Sequence, residues 1–102
     1  MVVEYIRYQI PEERHNAFEG AYRSAQAALA ASPHCRSYEL SRCVEDPTSY
    51  ILRIEWDSLD GHLQGFRRSP DFRTFFQAVQ PYVNAIAEMR HYEVTGVNGR
   101  KT

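Results

Sequence analysis

The sequence predicts an α+β fold built from four strands and three helices. Three observations support it: short alternating runs rich in Val, Ile and Tyr, longer apolar stripes at helical spacing, and prolines at the boundaries between them. The chain has 102 residues, enough for a single domain with its own core. We assign residues 1–97 to this domain and expect residues 98–102 to form a disordered tail.

The first third of the chain predicts a strand followed by a long helix. Val2–Ile10 alternates between apolar and polar residues, as a half-buried strand does. Pro11 suits the first turn of a helix, and Glu12–Ala31 then places Phe, Tyr, Ala and Leu on one helical face. This helix ends at Ser32, because a residue that precedes a proline is disfavoured in the helical conformation.

A β-hairpin is predicted next. Arg36–Val44 and Tyr50–Trp56 have strand-like composition, and Pro47 between them suits a tight turn. Asp57 follows the second strand directly and is expected to cap a helix over Ser58–Arg67.

The remaining residues predict one more helix and one more strand. Ser69 followed by Pro70 is a start signal for a helix over Asp71–Ile86, and Met89–Thr95 is the closing strand. The resulting order, β-α-β-β-α-α-β, is the ferredoxin-like pattern with a broken second helix. We therefore expect a four-stranded antiparallel sheet with helices on one side.

Strand parity divides the predicted sheet into two faces. The face without helices is expected to collect charges of both signs beside aromatic and polar side chains: Tyr5, Arg7, Glu39, Ser41, Arg53, Glu55, His91 and Glu93. Such a composition favours an ion-paired contact with a second copy of the chain. A solvated sheet face is the alternative.

Composition and charge exclude several classes of partner. Twelve basic and thirteen acidic residues give a formal charge of -1, so no overall attraction to nucleic acid or to an anionic membrane is expected. No apolar run approaches the ~18–20 residues that span a bilayer, and the first residues do not resemble a signal peptide, so we expect a cytoplasmic protein.

Cys35 and Cys43 would lie ~26 Å apart on one extended strand, which predicts two free thiols.

Several residues in the second half of the chain are typical of one family. They are the strand ending Ile54-Glu55-Trp56-Asp57-Ser58, then His62, then Phe66 with Ser69-Pro70-Asp71-Phe72, and the closing Tyr92-Glu93-Val94. With these residues the chain resembles the antibiotic biosynthesis monooxygenase domain over about residues 2–97. The resemblance implies a homodimer in which two ferredoxin-like chains form a dimeric α+β barrel.

The resemblance also implies an activity, the cofactor-independent monooxygenation of an electron-rich aromatic molecule of the hydroquinone, phenol or anthrone type. Once deprotonated, such a ring passes an electron to dioxygen itself, so the protein supplies a base, hydrogen-bond donors and a dry cavity. On this interpretation the partner is a small aromatic molecule, and neither a cofactor nor a metal ion is required.

The candidate site lies between the sheet and the helices. His62 is the candidate base, because it shares an apolar helical stripe and a neutral imidazole accepts a proton near pH 7. Trp56 and Tyr8 are the other candidate catalytic residues, as a stacking surface and a phenolic donor. Each of the three has an alternative role in packing the core. The expected substrate-binding walls are Tyr38, Leu40, Leu52, Ile54, Phe66, Phe75, Phe76 and Val79.

Two other functions stay open. The same pocket suits a module that binds a planar aromatic ligand without converting it. The haem-degrading branch of the family uses an asparagine, a Trp and a His, whose positions fall here near Ile6, Phe66 and Phe76, so His62 would have to bind the iron.

No spacing of Cys and His predicts a metal site, and Arg67 is expected at a solvated helix end.

Overall fold

A computed structural model describes all 102 residues. The strands are β1 (Val2–Gln9), β2 (Cys35–Arg42), β3 (Ser49–Trp56) and β4 (Ile86–Glu93), and the helices are α1 (His15–Ala31) and α2 (Pro70–Val79). Shorter segments are 3-10 turns at Glu12–Arg14, Phe66–Arg68 and Gln80–Ala85, and a π-helical turn at Gly61–Gly65, called the π turn below.

The four strands form one antiparallel sheet in the order β2-β3-β1-β4. This order is that of the ferredoxin-like topology, and it confirms the predicted α+β fold. The core lies between the sheet and the two helices. Phe18 of α1 occupies its centre and packs edge-to-face against four tyrosines: Tyr8, Tyr22, Tyr50 and Tyr82.

The structure bears on two properties considered in the sequence, the state of the cysteines and the presence of membrane-spanning helices. Cys35 and Cys43 are both free thiols. No helix combines the length and the apolar character needed to cross a bilayer.

The last helix is shorter than predicted because Pro81 interrupts it. α2 ends at Val79, a 3-10 turn follows, and β4 begins at Ile86, three residues before the predicted start at Met89. Proline lacks the backbone N–H, and its ring clashes with the preceding turn, so an α-helix does not continue through it.

The predicted helix over Ser58–Arg67 forms as a helical segment over residues 59–68, but its centre is the π turn and not regular α-helix. Ser58 caps its start, not Asp57, since the Ser58 Oγ accepts a hydrogen bond from the Gly61 N–H at 2.8 Å. The Asp57 carboxylate instead lies 2.9 Å from Nδ1 of His34. This hydrogen bond holds the pKa of Asp57 below its usual value.

The His34 ring lies against the two glycines of the π turn. A Cβ atom added at Gly65 would lie 2.5 Å from Cδ2 and Nε2 of His34, and one added at Gly61 would lie 2.0 Å from Oδ1 of Asp57. Glycine at these positions therefore leaves room for the His34–Asp57 pair, which packs directly on the backbone that carries His62.

Gly65→Ala is expected to lower the free energy of unfolding by about 1–3 kcal/mol, because the added methyl group overlaps the His34 ring. Urea denaturation followed by circular dichroism measures the change. Gly96→Ala is the matched control, since a Cβ there meets nothing within 4 Å, and it should change the free energy by less than about 0.5 kcal/mol. A Gly65→Ala variant as stable as the wild type would mean that His34 moves aside freely.

The register of β4 corrects one prediction about the two faces. Glu4 pairs with His91 and Val2 pairs with Glu93, and directly paired residues share a face. Glu4 is buried on the helix side, so His91 and Glu93 lie on that side and not on the helix-free face. Parity within one strand does not give the register between strands, and this pairing shifts after Arg7.

The helix-free face carries the other residues expected there: Tyr5, Arg7, Glu39, Ser41, Arg53 and Glu55. The Arg53 guanidinium lies 3.4 Å from the Glu55 carboxylate and 3.9 Å from that of Glu39. Tyr5 packs edge-to-face on Tyr92, with ring centroids 5.5 Å apart. This face is thus ion-paired and aromatic.

Candidate functional site

A cavity of about 190 Å³ lies between the sheet and α2. Strands β1, β3 and β4 form one side, and the π turn, α2 and the following 3-10 turn form the other. The lining residues are mostly apolar: Glu4, Ile6, Tyr8, Ile54, Trp56, His62, Phe66, Arg67, Phe72, Phe75, Phe76, Val79, Val83, Ile86 and Met89.

The structure brings together most of the predicted site residues in this cavity: Tyr8, Ile54, Trp56, His62, Phe66, Phe75, Phe76 and Val79. Tyr38 and Leu52 do not join them. Together with Leu40 they line a separate groove of about 420 Å³ between α1 and β2. Parity correctly gives the face of these three residues, but it does not reveal that α1 covers this part of the sheet while α2 covers the cavity.

Trp56 and His62 stack on one another at the cavity wall. Their ring centroids are 4.2 Å apart and the ring planes differ by 9°. The Trp56 Nε1–H donates a hydrogen bond to Oε1 of Glu4 at 3.1 Å, and all three side chains are buried. Trp56 therefore fixes the position of both the imidazole and the carboxyl group.

Both ring nitrogens of His62 have partners. The Arg67 Nε–H donates to Nε2 of His62 at 3.3 Å, and because a guanidinium only donates, Nε2 is the acceptor. Nδ1 consequently carries the proton of the neutral ring and donates to Nε2 of His91 at 2.7 Å. Oε1 of Glu4 lies 3.6 Å from Nε2 of His62.

Burial favours the uncharged forms of these groups. It raises the pKa of Glu4, an effect that the hydrogen bond from Trp56 partly opposes. Burial lowers the pKa of His62 to about 3, and the positive charge of Arg67 adds to this effect. Burial and Arg67 also lower the pKa of His91. The charge of Arg67 partly opposes the rise in the pKa of Glu4, and Arg67 is the cation of the site.

Tyr8 forms part of the cavity wall, and its hydroxyl is hydrogen-bonded to that of Tyr22. Burial raises the pKa of Tyr8, so the group stays a phenol. This hydrogen bond uses only one of the two hydroxyl protons, which leaves the other for a second acceptor.

Three polar residues of the site were not predicted: Glu4, His91 and Arg67. Glu4 has the clearest signal in the sequence, because it falls at a helix-facing position of β1, where an acidic residue is unusual unless it has buried partners. Strand parity alone places His91 on the other face, because parity does not give the register between β1 and β4. Arg67 is exposed, as expected for a helix end, but its side chain reaches back to His62.

The volume of the cavity limits what it can hold. An engineered cavity of ~150 Å³ in another protein accommodates benzene, so about 190 Å³ suits one substituted aromatic ring. Sites for drug-sized ligands enclose about 300–1,000 Å³, and a porphyrin is at least as large as such ligands. The cavity therefore gives no support to the haem alternative.

Comparison with known sequences gives a family and a relative. Residues 1–78 match the family model described as antibiotic biosynthesis monooxygenase. The uncharacterized protein YczJ of Bacillus subtilis (strain 168) is 27% identical over 93 residues, which cover 91% of this chain and 98% of YczJ.

Solved structures share the fold. A proposed antibiotic biosynthesis monooxygenase from Bordetella bronchiseptica has a TM-score of 0.74 and 24% identity, covering 92% of this chain and 96% of its own. SnoaB, a cofactor-independent oxygenase from Streptomyces nogalater, has a TM-score of 0.70 and 17% identity, covering 96% and 94%. At these identities the likeness establishes the fold alone.

Proposed function

Because the chain belongs to the antibiotic biosynthesis monooxygenase family, we propose that it is a cofactor-independent monooxygenase that oxidises an electron-rich aromatic ring with dioxygen. The observation that carries the proposal is the apolar cavity in which the acceptor nitrogen of His62 lies beside the cation of Arg67. SnoaB is a cofactor-independent oxygenase with the same fold, which supports the type of chemistry.

The proposed reaction balances without an external reductant. A phenol loses its proton, and the phenolate passes one electron to dioxygen. The two radicals combine to a ring peroxide, which loses water and leaves a quinone carbonyl where a ring C–H had been. The substrate supplies all four electrons, one oxygen atom enters the product, and the other leaves as water.

Each polar residue has a role in this reaction. Arg67 releases Nε2 of His62 when the substrate binds, and Nε2 then accepts the proton of the phenol. The Arg67 guanidinium then stabilises the phenolate, and this anion in turn raises the low pKa of His62. Tyr8 is the second donor to the phenolate oxygen, and Trp56 holds the imidazole in place.

The remaining wall residues exclude water and select the ring. Phe66, Phe75 and Val79 are buried around the cavity, and Phe76 is 39% exposed, at its mouth. A dry apolar wall strengthens the electrostatic interactions inside the cavity and protects a reactive phenolate from side reactions. From the cavity volume we propose a one-ring phenol or hydroquinone as substrate, in preference to a three-ring anthrone.

Oxygen consumption tests the proposed function. Chelator-treated protein, shown by absorption spectroscopy to lack flavin and haem, is offered hydroquinone, a substituted phenol, a naphthol and anthrone in an oxygen electrode. We expect protein-dependent uptake that is highest for one-ring substrates and absent for 1,4-dimethoxybenzene, which has no hydroxyl proton to lose. Thermal stabilisation by these phenols with no uptake for any of them would instead identify a non-catalytic binding module.

We also propose that two copies pair through the helix-free face of the sheet. Its ion pairs around Arg53 and the exposed Tyr92 give this face charge and apolar area together. A sedimentation mass of one 11.9 kDa chain at micromolar concentration would refute the homodimer.

A further inference from the structure

The geometry points to a binding site for a divalent first-row transition-metal ion, formed by Glu4, His62 and His91. The three side chains come from β1, the π turn and β4, and one ligand atom from each lies within 4.8 Å of the other two. Two imidazole nitrogens and one carboxylate oxygen are a ligand set typical of Zn²⁺, Co²⁺ and Fe²⁺. This inference does not depend on the proposed oxygenase activity.

The spacing of the ligand atoms is close to what such an ion requires. Metal–ligand bonds of about 2.0–2.1 Å in a tetrahedral site place the ligand atoms roughly 3.3–3.4 Å apart. Oε2 of Glu4 lies 3.9 Å from Nε2 of His91. His62 Nδ1 and His91 Nε2 are 2.7 Å apart, so an ion between them needs an opening of well under 1 Å. His91 can provide it, because its side chain is 25% exposed.

Hydrogen bonds assign the atoms that would bind the ion. Oε1 of Glu4 is held by the Trp56 indole N–H, which leaves Oε2 for the metal. Nδ1 of His62 points at Nε2 of His91, so the ion takes the place of the proton on Nδ1. Nε2 of His91 completes the set. Trp56 is the outer group that orients the Glu4 ligand, as the outer hydrogen bonds of protein metal sites do.

Other groups in the chain are poorer candidates. His34 and Asp57 form a pair of only two ligands at the surface. Burial raises the pKa of Cys35 to about 11, which keeps it a thiol, whereas metal ions bind the thiolate. Cys43 lies near Glu45 in the β2–β3 connection and is the thiol to remove in a control.

Metal binding would change the role of His62. With an ion on Nδ1, the neutral ring carries its proton on Nε2, and that nitrogen becomes a donor. It can then neither accept the hydrogen bond of Arg67 nor take a proton from a phenol. The same three residues would therefore exist in a proton-accepting state and a metal-bound state that exclude one another.

Calorimetric titration of chelator-treated protein with Zn²⁺ tests the site. We expect saturable binding of one ion per chain, and visible d–d absorption of a low-symmetry complex when Co²⁺ is used. Loss of an outer-shell residue already weakens metal sites by about 10–100-fold, so loss of a ligand in His91→Ala or Glu4→Gln should weaken binding by about 100-fold or more. Cys43→Ser should bind like the wild type.

The titration requires no enzymatic turnover, and two ligand variants are used in case one of them fails to fold. Circular dichroism shows whether Glu4→Gln keeps its fold, and the partly exposed His91 provides the second variant. The absence of one-to-one Zn²⁺ binding to the wild type would overturn the inference. Binding that survives in His91→Ala but is lost in Cys43→Ser would also overturn it, because the ion would then be held by the surface thiol.

Discussion

Replacing His62 with Gln is expected to lower kcat for oxygen uptake by ~10²–10⁴-fold, the usual contribution of a positioned general base. The glutamine amide keeps hydrogen-bonding groups near Arg67 and His91 but does not take a proton. Steady-state oxygen consumption with the best substrate of the panel measures the effect. KM is expected to change much less than kcat, because the aromatic walls that bind the ring are untouched.

His15→Gln is the matched control for this experiment. His15 is also a buried histidine, and its Nε2 lies 3.0 Å from the carbonyl oxygen of Ile10, but it does not line the cavity. Both variants lose a buried imidazole, so both should lose some stability, while only His62→Gln should lose turnover. Equal kcat values for the two variants would show that His62 has a packing role alone.

Trp56→Ala is expected to have the largest effect on stability. Truncation of a fully buried aromatic side chain costs ~3–5 kcal/mol, and here it also removes the ring that stacks on His62 and the N–H bound to Glu4. A domain of this size has a total stability of about 5–15 kcal/mol, so this loss is a large fraction of the total and the variant should unfold at a clearly lower temperature than the wild type. Thermal denaturation measures the loss of stability. It is followed by circular dichroism, because replacing Trp56, the only tryptophan, removes the tryptophan fluorescence that would otherwise report unfolding.

Trp56→Phe separates the two contributions of this residue. Phenylalanine keeps most of the apolar ring but leaves the buried Glu4 without its indole donor, which should cost about 1–3 kcal/mol. If Trp56→Phe proves as destabilising as Trp56→Ala, the hydrogen bond to Glu4 dominates the role of Trp56. If it is as stable as the wild type, the carboxyl group does not depend on the indole.

Local patterns in the sequence were sufficient to predict the fold. Alternation and helical spacing gave the order of the elements, and Ser69 with Pro70 marked the true start of α2. The errors arose where local signals compete with one another or with tertiary contacts. Pro81 ends the last helix within an otherwise helical apolar pattern, and packing of His34 accompanies the π turn where helical spacing predicted a regular helix.

The candidate site was less predictable, because it is assembled across strands. The aromatic walls followed from parity, but Glu4, His62 and His91 come from three distant segments, and no spacing motif joins them. Their meeting depends on the β1–β4 register, which a single sequence does not provide. Tyr38 and Leu52 show the converse error, because residues on the correct face can lie beneath a different helix.

The most direct test of the proposed monooxygenase is the fate of the oxygen atoms. Chelator-treated protein is allowed to turn over the best phenol of the panel under ¹⁸O₂, and the product is examined by mass spectrometry. We expect one ¹⁸O atom in each quinone product, with one dioxygen consumed per product and no hydrogen peroxide. A product without label, or one peroxide released per dioxygen consumed, would contradict oxygen insertion and show that the substrate is only dehydrogenated.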